Sequence, residues 1–174
     1  LPIRKEINPM NKVLSVLLCA MMFLTYAAAE GVPKNLSYEA REITMPAAGL
    51  MLYVPADLEQ LEGDEESYDL GFRFDGSKDT FSMALYVHDG RDMSLASYAE
   101  FYAERNGFTS VEEAEINGYH VRKMVKADDA KTFAVLFASE GEEPALAVYS
   151  MVFTCDTDTD VALANEILST LSVY

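Results

Sequence analysis

The chain is predicted to fold as a single α+β domain, a mainly antiparallel sheet of about six to seven strands flanked by helices in an α/β/α sandwich. Three observations carry that prediction. A series of short runs alternates apolar with polar residues, the period of two expected of half-buried strands. The links between these runs are short and turn-like instead of helical, which makes neighbouring strands antiparallel. Only two stretches, beginning near Leu95 and Asp158, repeat apolar residues at i, i+3, i+4 and i+7 in the manner of an amphipathic helix.

The chain opens with a segment of a different kind. Residues 1–9 show no pattern. Met10-Asn11-Lys12 then starts a short positive stretch, residues 13–26 are uncharged and mostly apolar, and Ala27-Ala28-Ala29 follows. This is the three-part layout of a secretory signal peptide, with Met10 as the expected start and cleavage expected after Ala29. The expected address is therefore exported: secreted, periplasmic or cell-surface. The rival is an uncleaved N-terminal anchor, but the apolar run of about 14 residues is short of the ~20 that span a bilayer. Lipid attachment at Cys19 is disfavoured because Leu17-Leu18 precedes it and the apolar run continues beyond it. Without a second long apolar stretch, the processed chain is expected to have no stable membrane span.

The full chain has a net charge of −16. Removing residues 1–29 takes away Arg4, Lys5, Lys12 and Glu6 and leaves a balance near −18. Such a field repels phosphate backbones and anionic lipid heads, so nucleic acid is excluded as a partner. Processing also leaves Cys155 as the lone cysteine, so no internal disulfide is expected and the core must hold the fold. Residues 30–37 read as a flexible polar leader and residues 38–174 as one α+β domain large enough to bury a sizeable core.

Within that domain, residues 38–45 read as the first strand and residues 50–54 as the second, which Pro55 closes by lacking an amide donor. The acid-rich stretch after it, with five acids from Glu59 to Glu66, reads as a solvated turn or short helix. Leu70, Phe72 and Phe74 alternate into a hairpin with the strand that carries Phe81, Met83, Leu85 and Val87. The first helix follows, its stripe formed by Leu95, Tyr98, Ala99 and Tyr102, with Gly107 as the left-handed residue that ends it. Residues 111–116 and 119–125 flank Asn117-Gly118, the strongest short-range hairpin signal. Two further strands occupy residues 132–139 and 145–155. The closing helix, residues 158–171, has Thr157 as its cap with Asp160 three residues on, and Asp158 and Asp160 at the positive end of its dipole.

Taken together, GLMLYVPADL, the FRF–FSMALYVHD hairpin, SLASYAEFYAERN, EINGYHVRKM and ANEILSTLSV resemble the Mog1/PsbP-like group of small secreted or periplasmic proteins. The similarity covers residues 42–173 and rests on element order and turn types. It implies an antiparallel sheet flanked by helices. It transfers no functional residue to this chain, because fold likeness alone does not carry function.

Chemical motifs are sparse. Asp156-Thr157-Asp158-Thr159-Asp160 has the alternating acids of a calcium loop, but Val161 and Ile167 stand where the loop needs glycine and glutamate; a helix cap explains the same residues. His88 and His120 are the two histidines and are read as solvent-exposed strand residues, so no metal ligand is assigned. Cys155 sits beside acids that disfavour a thiolate and reads as a small buried residue. No serine has a nucleophile's setting. Carboxylate pairs such as Asp128-Asp129 and Glu142-Glu143 lie in polar turns. No cofactor is implied. Arg122, Lys123, Lys126 and Lys131 form a basic island in an acidic chain, read as neutralising the surplus of acids or docking an acidic partner. Tyr98, Phe101 and Tyr102 are too broad a group for one narrow stripe, so a ring is left for a cleft. The binding residues expected are therefore Tyr98, Phe101, Tyr102, Arg122 and Lys123. The function expected is a non-catalytic, exported domain that binds a protein or small ligand of the cell envelope. The alternatives are a hydrolase or metal-dependent enzyme with a dispersed site, and an assembly or accessory factor.

Overall fold

The computed structural model describes residues 35–45, 49–61, 71–76, 80–138 and 147–173. The proposed signal segment, Cys19, the start of the leader, the acids after Leu61 and the Glu142-Glu143 pair lie outside the described residues. Ten strands and two helices are formed among the described ones. They are β1 (Ala40–Met45), β2 (Leu50–Pro55), β3 (Glu59–Leu61), β4 (Gly71–Asp75), β5 (Phe81–Asp89), α1 (Leu95–Asn106), β6 (Phe108–Ile116), β7 (Tyr119–Lys126), β8 (Phe133–Ala138), β9 (Ala147–Cys155), α2 (Asp158–Ser169) and β10 (Ser172–Val173).

Seven of the strands make one antiparallel sheet in the order β3-β4-β5-β9-β8-β7-β6. The alternation in β5 fixes its two faces. Phe81, Met83 and Leu85 are buried in the larger core, with Phe133, Val135 and Phe137 of β8 and Tyr149, Met151 and Phe153 of β9. That core is closed by α2 through Ala164, Ile167 and Leu168 and by a second antiparallel sheet, β1-β2-β10, through Ile43, Leu50, Leu52 and Val54. Each fully buried side chain of this size contributes about 1.5–3 kcal/mol. The opposite face, led by Met124, Ala134, Leu136 and Val148, packs against α1. The helices thus take opposite faces of the sheet, and the architecture is α+β as the pattern predicts.

Local chemistry explains the boundaries. The side chain of Ser94 accepts from the amide of Ser97 at the start of α1, and Gly107 at φ 70 ends it while its own amide donates to Ala103. At α2, Thr157 and Asp160 form a reciprocal capping box. Asn117 and Gly118 both take positive φ, 50° and 89°, the geometry a two-residue hairpin turn needs. The Asn117 amide also donates to the carbonyls of Ser169 at 2.6 Å and Leu171 at 2.8 Å, tying that hairpin to the end of α2.

Two features differ from the sequence expectation. Residues 59–61 form the edge strand β3 on β4, not a turn or short helix. Pairing with Phe74 and its neighbours overrides the acid-rich local composition, which suits an edge exposed to water. The hairpin β1-β2 also forms a separate sheet, to which β10, two residues long, adds by pairing with β2. In β6 the register shifts between Thr109 and Glu112, with Ser110 at φ 52. The bulge lets Phe108 and Val111 both pack toward α1 before Ala114 and Ile116 turn to the larger core.

Candidate functional site

The helix α1 is one helix wide and lies over β6, β7 and β8. The same face of β5 and β9 is left partly open: Ala84, Tyr86 and Val152 are half-buried and Thr154 is exposed. The space between the flank of α1 and this open floor is a cleft of about 920 Å³. Tyr86, Tyr98, Phe101, Tyr102 and Phe108 supply its rings, and Arg91, Arg105 and Lys126 its positive charges.

Each of these is placed by local structure. After β5, Asp89 Oδ1 accepts from the Arg91 amide at 2.9 Å and closes a turn in which Arg91 and Asp92 both have positive φ. Two consecutive non-glycine residues in that region are strained by about 1–2 kcal/mol each. The turn sets the Arg91 guanidinium 4.9 Å from the centre of the Phe101 ring, a cation–π contact. At the far end, Lys126 Nζ donates to the Asn106 carbonyl at 2.7 Å and lies 5.1 Å from the Phe108 ring centre. The β7–β8 turn beside it is held by Asp129, which accepts from the Thr132 hydroxyl at 2.7 Å and the Lys131 amide at 3.0 Å. Those bonds, that of Thr132 first, hold its carboxyl below the usual carboxylate range.

His88 is the inner wall of the cleft. The expectation of an exposed strand histidine is corrected here: the residue is 7% exposed. Alternation correctly turns it away from the Met83 face, but α1 covers the face it turns to. Its Nε2 lies 2.7 Å from Ser150 Oγ, and its ring meets Tyr102 edge-on at 5.4 Å and Tyr98 at 6.0 Å. A serine beside a histidine is the start of a nucleophile–base pair, yet Ser150 is 0% exposed and no substrate carbonyl can approach it. Ser150 is a buried polar group satisfied by its neighbour. His120, in contrast, is exposed and lies 3.9 Å from Glu113. β9 and β8 stand between β5 and β7, so the two histidines are separated by about 14 Å, three strand spacings. Among the described residues, no group of three or more His, Cys, Asp or Glu side chains is gathered for a metal. Cys155 is 2% exposed, and burial first, then Asp160, Asp129 and Asp156, pushes its thiol up to about 11. At neutral pH it is a thiol packed in the core, not a nucleophile.

The five binding residues expected from sequence divide. Tyr98, Phe101 and Tyr102 stand together on the cleft wall. Arg122 and Lys123 do not join them. Arg122 pairs with Glu113 at 3.2 Å, whereas Lys123 projects from the other face of β7 and lies 4.8 Å from the Phe133 ring centre. Lys131 reaches Asp158 at 3.4 Å, so the basic island of the sequence is dispersed in space. Sequence reasoning missed Arg91, Arg105 and Tyr86: the first two reach the cleft because α1 packs over the sheet, and Tyr86 because its face of β5 is left partly open.

The chain resembles the solution structure of cyanobacterial PsbP (CyanoP) from Synechocystis at a TM-score of 0.55, with 10% identity, covering 86% of this chain and 99% of that one. The fold is Mog1/PsbP-like. Two further structures align less closely. The yeast (Saccharomyces cerevisiae) Ran-binding protein Mog1p gives a TM-score of 0.47 at 12% identity, covering 79% of this chain and 96% of its own. A protein of Bacteroides thetaiotaomicron gives 0.46 at 15% identity, covering 76% of this chain and 48% of its own. The assignment of the fold rests on the likeness to the cyanobacterial structure. No family model and no curated protein matches the sequence. No helix among the described residues of this Mog1/PsbP-like domain is long and apolar enough to cross a membrane.

Proposed function

We propose that this chain is an exported, non-catalytic binding domain of the cell envelope or secreted space, and that it holds its partner in the cleft beside α1. The observation that carries the reading is the half-covered sheet face, where Tyr86, Phe101 and Val152 remain partly exposed in a cleft of about 920 Å³. Concave sites with aromatic walls and a few charged groups are where proteins hold ligands. The signal-peptide pattern of residues 10–29 and the strong acidity support export and solubility. The seclusion of Ser150 and Cys155 supports binding over hydrolysis, since each is a nucleophile type without access or activation.

The test is site-specific photo-crosslinking in the organism's own cells. A benzophenone side chain replaces Phe101 in the full chain, and a control carries it at the exposed Ala162 on α2. The expected result is a discrete adduct from position 101, absent from position 162, in the envelope or medium fraction. Equal adducts from both positions, or none from position 101, contradict the reading. Mass spectrometry of the same samples reports whether residues 1–29 have been removed.

A further inference from the structure

We propose that the cleft beside α1 receives an extended acidic segment of a partner protein. The inference rests on the binding reading above and narrows it to one occupant. Charge is the first argument. In a chain of net charge −16, Arg91, Arg105 and Lys126 all line this one cleft. None of the three is ion-paired with a carboxylate among the described residues, where Arg122 and Lys131 both are. Lys126 spends one donor on the Asn106 carbonyl and keeps its charge uncompensated. The acids of α1, Glu100 and Glu104, line the opposite flank of the helix. One acid, Asp89, borders the cleft, and its Oδ1 is bound to the Arg91 amide. The local field therefore favours an anion, against the sign of the molecule as a whole.

Shape is the second argument. The cations follow the flank of α1 along an elongated floor. The Arg91 backbone stands at the turn before α1 with its guanidinium against Phe101, halfway along the helix, and Arg105 and Lys126 stand toward its far end. The floor runs along β5 from His88 to Ser82, with β9 paired beside it from Val148 to Thr154. Six residues of strand span about 20 Å. About six residues of extended peptide match that length of floor. Beside the cations lie the partly exposed rings of Tyr86 and Phe101, suited to apolar or aromatic side chains of such a segment. The floor is a sheet face and not an edge, so recognition is by side chains and charge instead of strand addition.

The test uses the full chain and a fluorescein-labelled hexapeptide with a central Phe-Phe flanked by two glutamates on each side, read by anisotropy at low and physiological salt. The comparison probes are the same peptide with lysines in place of glutamates, and citrate and inorganic phosphate as competitors. The variants are R91E, R105E, the pair of them, and K131E as a surface charge control outside the cleft, each checked for folding by circular dichroism. Binding of the glutamate peptide only, weakened by salt and weakened at least about tenfold by R91E/R105E but not by K131E, is the expected outcome. R105E alters an exposed helix position and keeps the test valid if R91E disturbs the strained turn. No binding, equal binding of the lysine peptide, or equal loss with K131E overturns the proposal. Displacement by citrate or phosphate at concentrations equal to the peptide's also overturns it, and marks a small-anion site. A crosslink from position 101 without acidic-peptide binding refutes this occupant and leaves the binding reading standing; loss of both refutes both.

Discussion

His88 Nε2 and Ser150 Oγ lie 2.7 Å apart on the adjacent strands β5 and β9, beneath the rings of Tyr98 and Tyr102. The pair joins sheet to helix: the hydroxyl is fully buried, and the imidazole it holds packs against α1. Ser150→Ala removes the hydroxyl and leaves a buried imidazole nitrogen without it, which is expected to destabilise the domain by about 1–3 kcal/mol. Urea denaturation measures this as a lower midpoint with an unchanged slope. Retained stability would mean that the pair contributes nothing to seating the helix.

The hairpin β6–β7 is fastened to the end of α2 by Asn117. Asn117→Gly keeps the positive φ but loses the bonds to the Ser169 and Leu171 carbonyls, an expected cost of about 1 kcal/mol. Asn117→Ala loses the same bonds but, unlike the glycine variant, keeps a Cβ in the left-handed region, and should cost about 1 kcal/mol more than Asn117→Gly. Equal midpoints for the two variants in chemical denaturation would contradict this order.

Gly107 ends α1 at φ 70, and a Cβ built there would meet only the Lys126 side chain at 3.8 Å, an ordinary contact. The penalty of Gly107→Ala is therefore conformational alone, about 1 kcal/mol. Thermal unfolding checks it, and a much larger loss would indicate that the Lys126 contact at the cleft end had been displaced as well.

Cys155 gives a pH prediction. Its thiol titrates near 9 when free and is pushed up to about 11 in the fold by burial and by nearby acids. The folded state therefore holds the proton more tightly, so the contribution to stability is complete below about pH 9 and is lost as pH rises toward 11. Thiol labelling should be negligible in the native protein at neutral pH and rapid in urea. Fast labelling of the folded chain at pH 7 would contradict the buried assignment.

Much of this fold is legible in the residues. The Asn117-Gly118 turn, the Thr157 cap with Asp160, the Gly107 stop and the alternation of β5 are all local signals, and each is found where its chemistry requires it. Strand β3 is not legible, because residues 59–61 become extended by pairing with β4 and carry no apolar pattern of their own. The burial of His88 is half legible: a period of two says which face it takes, but not that a helix from later in the chain will cover that face. The same limit applies to the cleft. Arg91, Arg105 and Lys126 are spread along the sequence and line one cleft only because α1 packs over the sheet. Arg122 and Lys123 teach the converse lesson, since adjacent strand residues point to opposite faces however basic the stretch appears.

The central claim is that the open flank of α1 and the uncovered face of β5 and β9 form the binding surface of a domain that performs no reaction. Hydrogen–deuterium exchange of the full chain, alone and with the species crosslinked from position 101, tests it most directly. The account predicts new protection in Tyr86 to Asp89, in α1 and at Val152 to Thr154, with β1, β2 and α2 unchanged and the bound species recovered chemically intact. Protection confined to β1, β2 and α2, or recovery of the species cleaved or modified, would contradict it.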